Sequence, residues 1–297
     1  MDGILLIDKA SGPTSFDVVR AVRRRVKMRR VGHAGTLDPL ASGLLIVCLG
    51  QGTKLVPYLM DGDKRYRVTV TLGQETDTLD SEGDVVRESP VPSIDRETVM
   101  AAARQFVGRI DQVPPLYSAL KKGGEALYVK ARRGEQVHLE PRAVRIDTID
   151  VLQVAARQFS LMVQCGKGTY IRSLARDVAV ELGTVGYVSA LRREATSGFD
   201  VSDAQPFAAL SDDAWEPTTH LVSMTEALPA MPRLVLNDRD AFCAKNGQLL
   251  TAPGQLDAQN GAPGRYVALL DDGGRLLAIA QWLDAQRLKP VRGFPVS

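Results

Sequence analysis

Gly32-His33-Ala34-Gly35-Thr36-Leu37-Asp38-Pro39-Leu40-Ala41-Ser42-Gly43 runs without a break into Leu44-Leu45-Ile46-Val47-Cys48-Leu49. The first part is a polar, glycine-punctuated loop. The second is a continuous apolar run of strand length and reads as a buried strand. Gly32, Gly35 and Gly43 free the backbone to turn sharply and to approach a ligand closely. Pro39 steers Asp38 away from helical dihedrals and holds it extended. One carboxylate is therefore placed in a loop anchored by a rigid buried strand. An Asp before Pro is by itself an ordinary turn former, so the meaning of Asp38 depends on its surroundings.

Upstream, residues 4–7 read as a short strand, followed by a Gly12-Pro13 turn. Ser15 is the expected cap of a helix with Val18, Val19, Val22 and Val26 on one face and arginines on the other. Residues 20–30 carry seven basic side chains and no acidic one. Such a run is commonly a solvated face, but here it abuts the Asp38 loop, a placement that suits a polyanion lying across a site. Lys121, Lys122, Lys130, Arg132 and Arg133 form a second basic group beside Tyr117 and Tyr128. Basic groups interleaved with aromatics fit a nucleic-acid backbone and its bases better than a membrane.

Downstream, residues 53–60 suggest one or two helical turns, and 66–71 alternate as a half-buried strand with Tyr66 at its entrance. The acidic segment 75–84 reads as a loop and 95–107 as a helix. Strands follow near 143–154 and 158–165. A helix over about 170–182 puts Ile171, Leu174, Ala175 and Val178 on one face and Arg172 with Arg176 on one side. Strands mixed with helices, without strict alternation, indicate an α+β fold. The proline-punctuated stretch 206–232 reads as a connection between domains. Beyond it, 266–270 and 276–282 form a strand pair in a small β-rich module.

The 297 residues are 44% hydrophobic and 24% charged with a net charge of +2, an ordinary composition for a globular chain of about two domains. No apolar stretch approaches the roughly 20 residues of a membrane span. The N-terminus carries no export leader, and three unclustered cysteines argue against a disulfide framework, so a cytoplasmic setting is expected. His33, His138 and His220 have no partners at zinc-ligand spacing, and no metal site is expected.

Gly50-Gln51-Gly52-Thr53-Lys54 lacks P-loop spacing, and no dinucleotide fingerprint follows a strand. Gly32-His33-Ala34-Gly35 matches a GXXG loop, but no helix follows it. No Ser-His-Asp set or paired-carboxylate motif is present. One carboxylate, one histidine, several tyrosines and much arginine suit base flipping and carboxylate chemistry on an RNA nucleotide.

The Asp38 loop, with Asp8-Lys9 and Gly12-Pro13-Thr14-Ser15 upstream, resembles the TruB family of tRNA pseudouridine synthases. The likeness continues in family order through Lys64-Arg65-Tyr66-Arg67, Leu72-Gly73-Gln74-Glu75-Thr76-Asp77-Thr78 and Tyr117-Ser118-Ala119-Leu120-Lys121. It ends with Gly168-Thr169-Tyr170-Ile171-Arg172-Ser173-Leu174 and Leu191-Arg192-Arg193, covering roughly the first 200 residues. The resemblance implies a mixed, largely antiparallel sheet with flanking helices over residues 1–228. It also implies a PUA-like RNA-binding module at 229–297.

It further implies isomerisation of uridine to pseudouridine at position 55 in the T loop of tRNA, with no cofactor. By that match Asp38 is the catalytic carboxylate, Arg172 its arginine partner, and Tyr66 the tyrosine that stacks on the target base and assists proton transfer. Tyr170 and Leu191 line the uracil pocket, His33 fills the space left by the flipped base, and Lys9 supports the site. Ala10 stands where the family often has proline. Addition of Asp38 to the base, addition to the ribose and a glycal route all remain open, and each needs an ionised Asp that a nearby cation would favour.

The expected partner is the tRNA T-arm, with no membrane, no obligatory protein partner and a monomeric state. An RNA-binding or tRNA-folding chaperone is the leading alternative, followed by an aspartate-nucleophile hydrolase and a guide-RNA-dependent synthase. Because the motifs end before residue 200, a chain stopping near Leu228 is expected to keep its selectivity and to lose affinity.

Overall fold

The computed structural model describes residues 1–118, 121–122, 125–126, 133, 137, 139–251 and 262–295. It begins with β1 (Gly3–Lys9), α1 (Ser15–Val26), β2 (Val31–His33), β3 (Ser42–Leu49) and α2 (Val56–Met60). Next come β4 (Lys64–Leu72), the hairpin strands β5 (Gln74–Thr76) and β6 (Val85–Glu88), α3 (Arg96–Arg104) and β7 (Gly108–Gln112). Two short strands, β8 (Lys121–Lys122) and β9 (Glu125–Ala126), precede the long hairpin β10 (Arg142–Ala155) and β11 (Gln158–Cys165). Then follow α4 (Ile171–Glu181), β12 (Gly186–Thr196), β13 (Phe199–Asp200) and β14 (Gln205–Pro206). The C-terminal part holds β15 (Arg233–Val235), α5 (Asp238–Lys245), β16 (Leu250–Thr251), β17 (Tyr266–Leu270), β18 (Leu276–Trp282) and β19 (Arg287–Gly293).

Ten strands form one sheet in the order β14-β1-β3-β12-β4-β11-β10-β7, with β2 on β3 and β13 on β12. The β1–β14 and β3–β12 pairs are parallel and the others antiparallel. The class is α+β with a mixed, largely antiparallel sheet, and a second sheet, β15-β17-β18-β19-β16, lies in the C-terminal part.

The unbroken apolar run of β3 has a direct cause. Leu45, Val47 and Leu49 face the core that holds Val18, Val19 and Val22 of α1 and Leu174 and Val178 of α4. Leu44, Ile46 and Cys48 face the opposite way, into a core shared with Ala268, Leu270, Leu276, Ile279 and Phe294 of the C-terminal part. Alternate residues point to opposite faces, so a strand covered on both sides needs no polar positions. Each fully buried valine or leucine contributes about 1.5–3 kcal/mol relative to exposure.

One local reading needs correction. Thr14, not Ser15, caps α1, accepting from the Asp17 N–H, while the Asp17 carboxylate closes the capping box on the Thr14 N–H. The Ser15 hydroxyl turns inward, accepting from Leu37 N at 2.9 Å and lying 3.1 Å from Leu37 O. The acidic segment 75–84 is a loop over 77–84, joining β5 to β6, and its tip folds inward so that Asp80 is buried. The stretch 206–232, between the two sheets, is packed against them. Trp215, Ala227 and Leu228 are buried, Val222 bonds Ile4 through both backbone groups, and Arg25 donates to the carbonyls of Asp212, Asp213 and Trp215.

Shared packing across β3 bears on truncation. A chain ending at Leu228 would uncover Ile4, Leu44, Ile46 and Cys48, which are buried in the whole chain. It is expected to melt well below the full chain or to aggregate, as thermal denaturation with light scattering would show. Equal melting temperatures would mean that the C-terminal sheet adds nothing to the stability of the large one.

Candidate active site

Gly43 and Gly35 explain how the Asp38 loop sits where it does. Gly43 has φ of 103°, and a Cβ there would meet the backbone oxygen of Arg193 at 2.3 Å. Only glycine lets β12 lie parallel against the start of β3, where Arg193 pairs with Gly43. Gly35 also has positive φ, with its carbonyl 3.1 Å from Arg193 Nη2. Gly32 shows neither feature. From Asp38 O to Ala41 N the chain closes a turn at 3.1 Å with Pro39 at its second position.

Behind the loop, fully buried Lys9 donates from Nζ to Ala10 O at 3.0 Å, Pro13 O at 2.7 Å and Pro39 O at 3.2 Å. It ties the end of β1, the approach to α1 and the residue after Asp38 into one unit. Burial lowers its ammonium to about 8, with the Asp38 charge opposing that change. Lys9 is charged at neutral pH and supports the loop from behind.

Arg172, on the first turn of α4, is only 6% exposed. Nε lies 2.9 Å from Asp38 Oδ2 and Nη2 3.1 Å from Oδ1, a bidentate grip. Nη2 also donates to Tyr117 O at 3.0 Å and Nη1 to Thr78 O at 2.7 Å, while Nη1 forms an ion pair with Asp80 Oδ2 at 3.1 Å. The guanidinium thus donates three hydrogen bonds and forms ion pairs with two carboxylates. Arg176, expected beside it, turns away to Asp177 and Val113 O and takes no part.

Asp80 is the residue that sequence reasoning missed. Its Oδ1 accepts from Thr78 Oγ1 at 2.6 Å and Glu82 N at 3.0 Å, leaving Oδ2 for Arg172. Leu79, with φ of 62°, turns the hairpin tip inward, and its carbonyl accepts from Val188 N on β12. Left-handed leucine is strained and persists only where the surroundings hold it. Nothing in the run Asp77-Thr78-Leu79-Asp80 distinguishes Asp80 from its acidic neighbours until the chain is folded.

The net effect on Asp38 runs against the expectation of a stabilised carboxylate. Burial pushes its carboxyl above the ordinary range, Arg172 pulls it back, and the Asp80 charge pushes it further up. The side chain keeps 34% of its surface open, to a cleft of about 750 Å3 that His33, Phe16, Thr78, Tyr117 and Ser118 also line. A larger cleft of about 770 Å3, near Lys64, Thr196 and Tyr266, lies apart from this constellation.

Tyr66, Tyr170 and Leu191 are not among the residues that line the cleft beside Asp38; Tyr66 and Leu191 belong to the core that also holds Leu37, Leu40 and Ala41 of the Asp38 loop. Tyr66 pairs with Arg193 and Val68 with Leu191 across β4 and β12, and all four are buried. Tyr66 is the third residue of β4 and 8% exposed, so it is no wet strand entrance. Burial raises its phenol, and the nearby Arg193 guanidinium offsets this in part. Arg193 itself is 1% exposed, with Nε bonded to Leu44 O at 2.7 Å. Two-residue periodicity from Leu191 would have put Arg193 on the same face.

Tyr170, the cap residue of α4, is half-buried and exchanges two backbone bonds with the Gln112 side chain. Burial raises its phenol too. His33 ends β2, half-buried, with Nδ1 unpartnered and burial holding its imidazole below the usual range. Of the second basic group, Tyr128, Lys130 and Arg132 and the side chains of Lys121 and Lys122 lie outside the described residues. No group of metal-ligating side chains occurs among the described residues, and no helix there is long and apolar enough to cross a membrane.

Residues 23–171 match the family model described as TruB family pseudouridylate synthase, N-terminal domain. This chain belongs to the TruB family. The tRNA pseudouridine synthase B of Clostridium perfringens (strain 13 / Type A) is 42% identical over 83% of this chain and 84% of its own length. That of Azoarcus sp. (strain BH72) is 40% identical over 98% and 94%, and that of Caulobacter vibrioides (strain ATCC 19089) 40% over 100% and 97%. The enzyme is a tRNA pseudouridine synthase of the TruB type, an isomerase. In fold, it superposes with a TM-score of 0.74 on a Cbf5-Nop10-Gar1 complex, at 24% identity over 99% of this chain and 84% of the other. An H/ACA RNP bound to a substrate RNA containing 2′-deoxyuridine gives the same score at 21% identity, over 99% and 85%.

Two expected results follow from this geometry. Tyr66→Phe should keep any stacking on a base, whereas Tyr66→Leu should lose about 1–3 kcal/mol of it. Phe as inactive as Leu, with RNA binding preserved, would assign the hydroxyl to the chemistry; full activity in both would make Tyr66 structural.

The second concerns pH. An acting carboxylate must be ionised, so the single-turnover rate should fall as pH drops through a pKa above the ordinary carboxylate value of about 3.9. Asp80→Asn removes a repelling charge and should move that limb to lower pH. An unmoved limb would refute the coupling.

Proposed function

We propose that this enzyme isomerises the uridine at position 55, in the T loop of tRNA, through attack of Asp38 on the flipped nucleotide. The single observation that carries this reading is the Asp38 carboxylate itself, gripped at both oxygens by a buried arginine yet one-third open to a cleft. A carboxylate so held is oriented at no entropic cost during the reaction and keeps a lone pair for the substrate.

In the net reaction the C1′–N1 bond breaks, a C1′–C5 bond forms, the C5 proton leaves and N1 takes one up. Substrate and product are isomers, so no group need come from a cofactor. Arg172 positions Asp38, and Tyr66 stacks on the uracil and assists proton transfer. Tyr170 and Leu191 complete the uracil pocket, and His33 takes the space the base vacates. Lys9 positions the loop without touching RNA. The basic face of α1 and the module at 229–297, which we assign as PUA-like, hold RNA phosphates. The enzyme acts as a monomer without a protein partner.

The hydrolase reading gains a second acid in Asp80, but both of its oxygens are engaged with Thr78, Glu82 and Arg172. That leaves it poorly placed to activate water. Incubation with unmodified tRNA and with an isolated T-arm hairpin, followed by mapping of pseudouridine, tests the proposal. A single modified uridine in the T loop of both is the expected result. Modification elsewhere, or none, would overturn the assignment of the target.

A further inference from the structure

Phe16 is a large apolar side chain left 56% exposed at the start of an otherwise basic helix. The guanidinium carbons of Arg20 and Arg23 lie 5.8 and 5.7 Å from its ring centroid, within cation–π range. The ring also lines the cleft onto which the Asp38 carboxylate opens. Its position relative to Asp38 is fixed by the preceding residues of the two segments, because Ser15 Oγ bonds both the N–H and the carbonyl of Leu37. The Thr14–Asp17 capping box and the Asp17–Arg20 ion pair hold the same turn.

An exposed phenylalanine contributes nothing to the core, and the buried face of α1 is already filled by Val18, Val19 and Val22. A flat ring beside two cations, at the lip of a cleft that takes a nucleotide, has the chemistry of a base-stacking platform. Flipping one nucleotide unstacks its neighbours and leaves at least one base face without a partner.

Resting on the proposed function, we infer that Phe16 stacks on an unpaired RNA base adjacent to the target uridine, while Arg20, whose side chain is 58% exposed, engages a phosphate beside it and Arg23 stays bonded to Val31 O. With His33 in the vacated space, the ring covers a further base face of the opened loop, and so favours that loop over the stacked one. Phe16 thereby acts in substrate capture, apart from bond making.

The test uses the full chain as Phe16→Ala, Phe16→Leu and Phe16→Trp, with T-arm hairpins carrying 2-aminopurine on one or the other side of the target uridine. Thermal melting of each variant comes first, and should match the parent because the ring is exposed. Ala and Leu are expected to raise Kd by about 5- to 150-fold, the range found for loss of one base–aromatic stack. Trp should hold Kd near the parent value. Fluorescence of one of the two 2-aminopurine positions should be quenched by the parent and by Trp, and much less by Ala and Leu. The loss should fall on Kd more than on the single-turnover rate at saturating RNA.

Unchanged Kd in Ala, Leu affinity equal to Trp, or equal quenching in all variants would overturn the inference. A parent that binds and quenches the hairpin but leaves its uridine unmodified would instead overturn the assigned target and leave the stacking role standing.

Discussion

Asp38→Asn is expected to bind tRNA and melt like the parent while losing at least about 1000-fold in turnover. That factor corresponds to about 4 kcal/mol of transition-state stabilisation. Asparagine matches the shape of aspartate but supplies no carboxylate. The fold should tolerate the change because Arg172 keeps Asp80 as a counter-ion and the carbonyls of Thr78 and Tyr117 as acceptors. Removing a negative charge from a cleft that receives RNA cannot weaken phosphate binding by repulsion. Pseudouridine mapping with the purified variant, beside a binding titration, measures both halves. Near-normal product would refute the role of Asp38. Lost product with intact binding would also separate an enzyme from a chaperone, which needs no carboxylate.

Arg172→Met should harm both stability and activity. It leaves Asp38 and Asp80 close together with no arginine between them and strips the Thr78 and Tyr117 carbonyls of their donor. Removing one partner of a buried ion pair costs about 3–5 kcal/mol. Loss of the bidentate grip should also lower the single-turnover rate by at least about 100-fold, near 2.7 kcal/mol. Arg172→Lys restores the charge without the planar fork, so it should recover part of the melting temperature and little of the rate.

The pH profile separates positioning from mere scaffolding. Arg172 opposes the rise in the Asp38 pKa, so its removal should shift the acid limb to higher pH, opposite to the shift expected for Asp80→Asn. Full rescue by lysine, or a parent-like limb in the methionine variant, would refute the role assigned to Arg172.

Local chemistry made much of this protein legible before folding. The apolar run 44–49 read as a buried strand, and the valine spacing of 18–26 as the hidden side of a helix. The strand pair near 266–282 was marked by its turn. These features depend on periodicity, capping and turn residues, which act over a few positions. Tyr66, Tyr170, Arg172 and Leu191, by contrast, were singled out by resemblance to the TruB family and not by any local pattern.

Tertiary structure decided what those rules do not encode. Asp80 and Asp38 are far apart in the chain and become one ion-paired group only through Arg172. Arg192 and Arg193 are neighbours, yet one reaches Asp8 near the surface and the other is buried behind Tyr66. Whether Asp38 is easier or harder to ionise depended on the balance of burial, one cation and a second carboxylate, a sum over space rather than sequence. The packing of the C-terminal part on β1 and β3 was equally hidden, because an apolar residue shows that it will be covered but not by what.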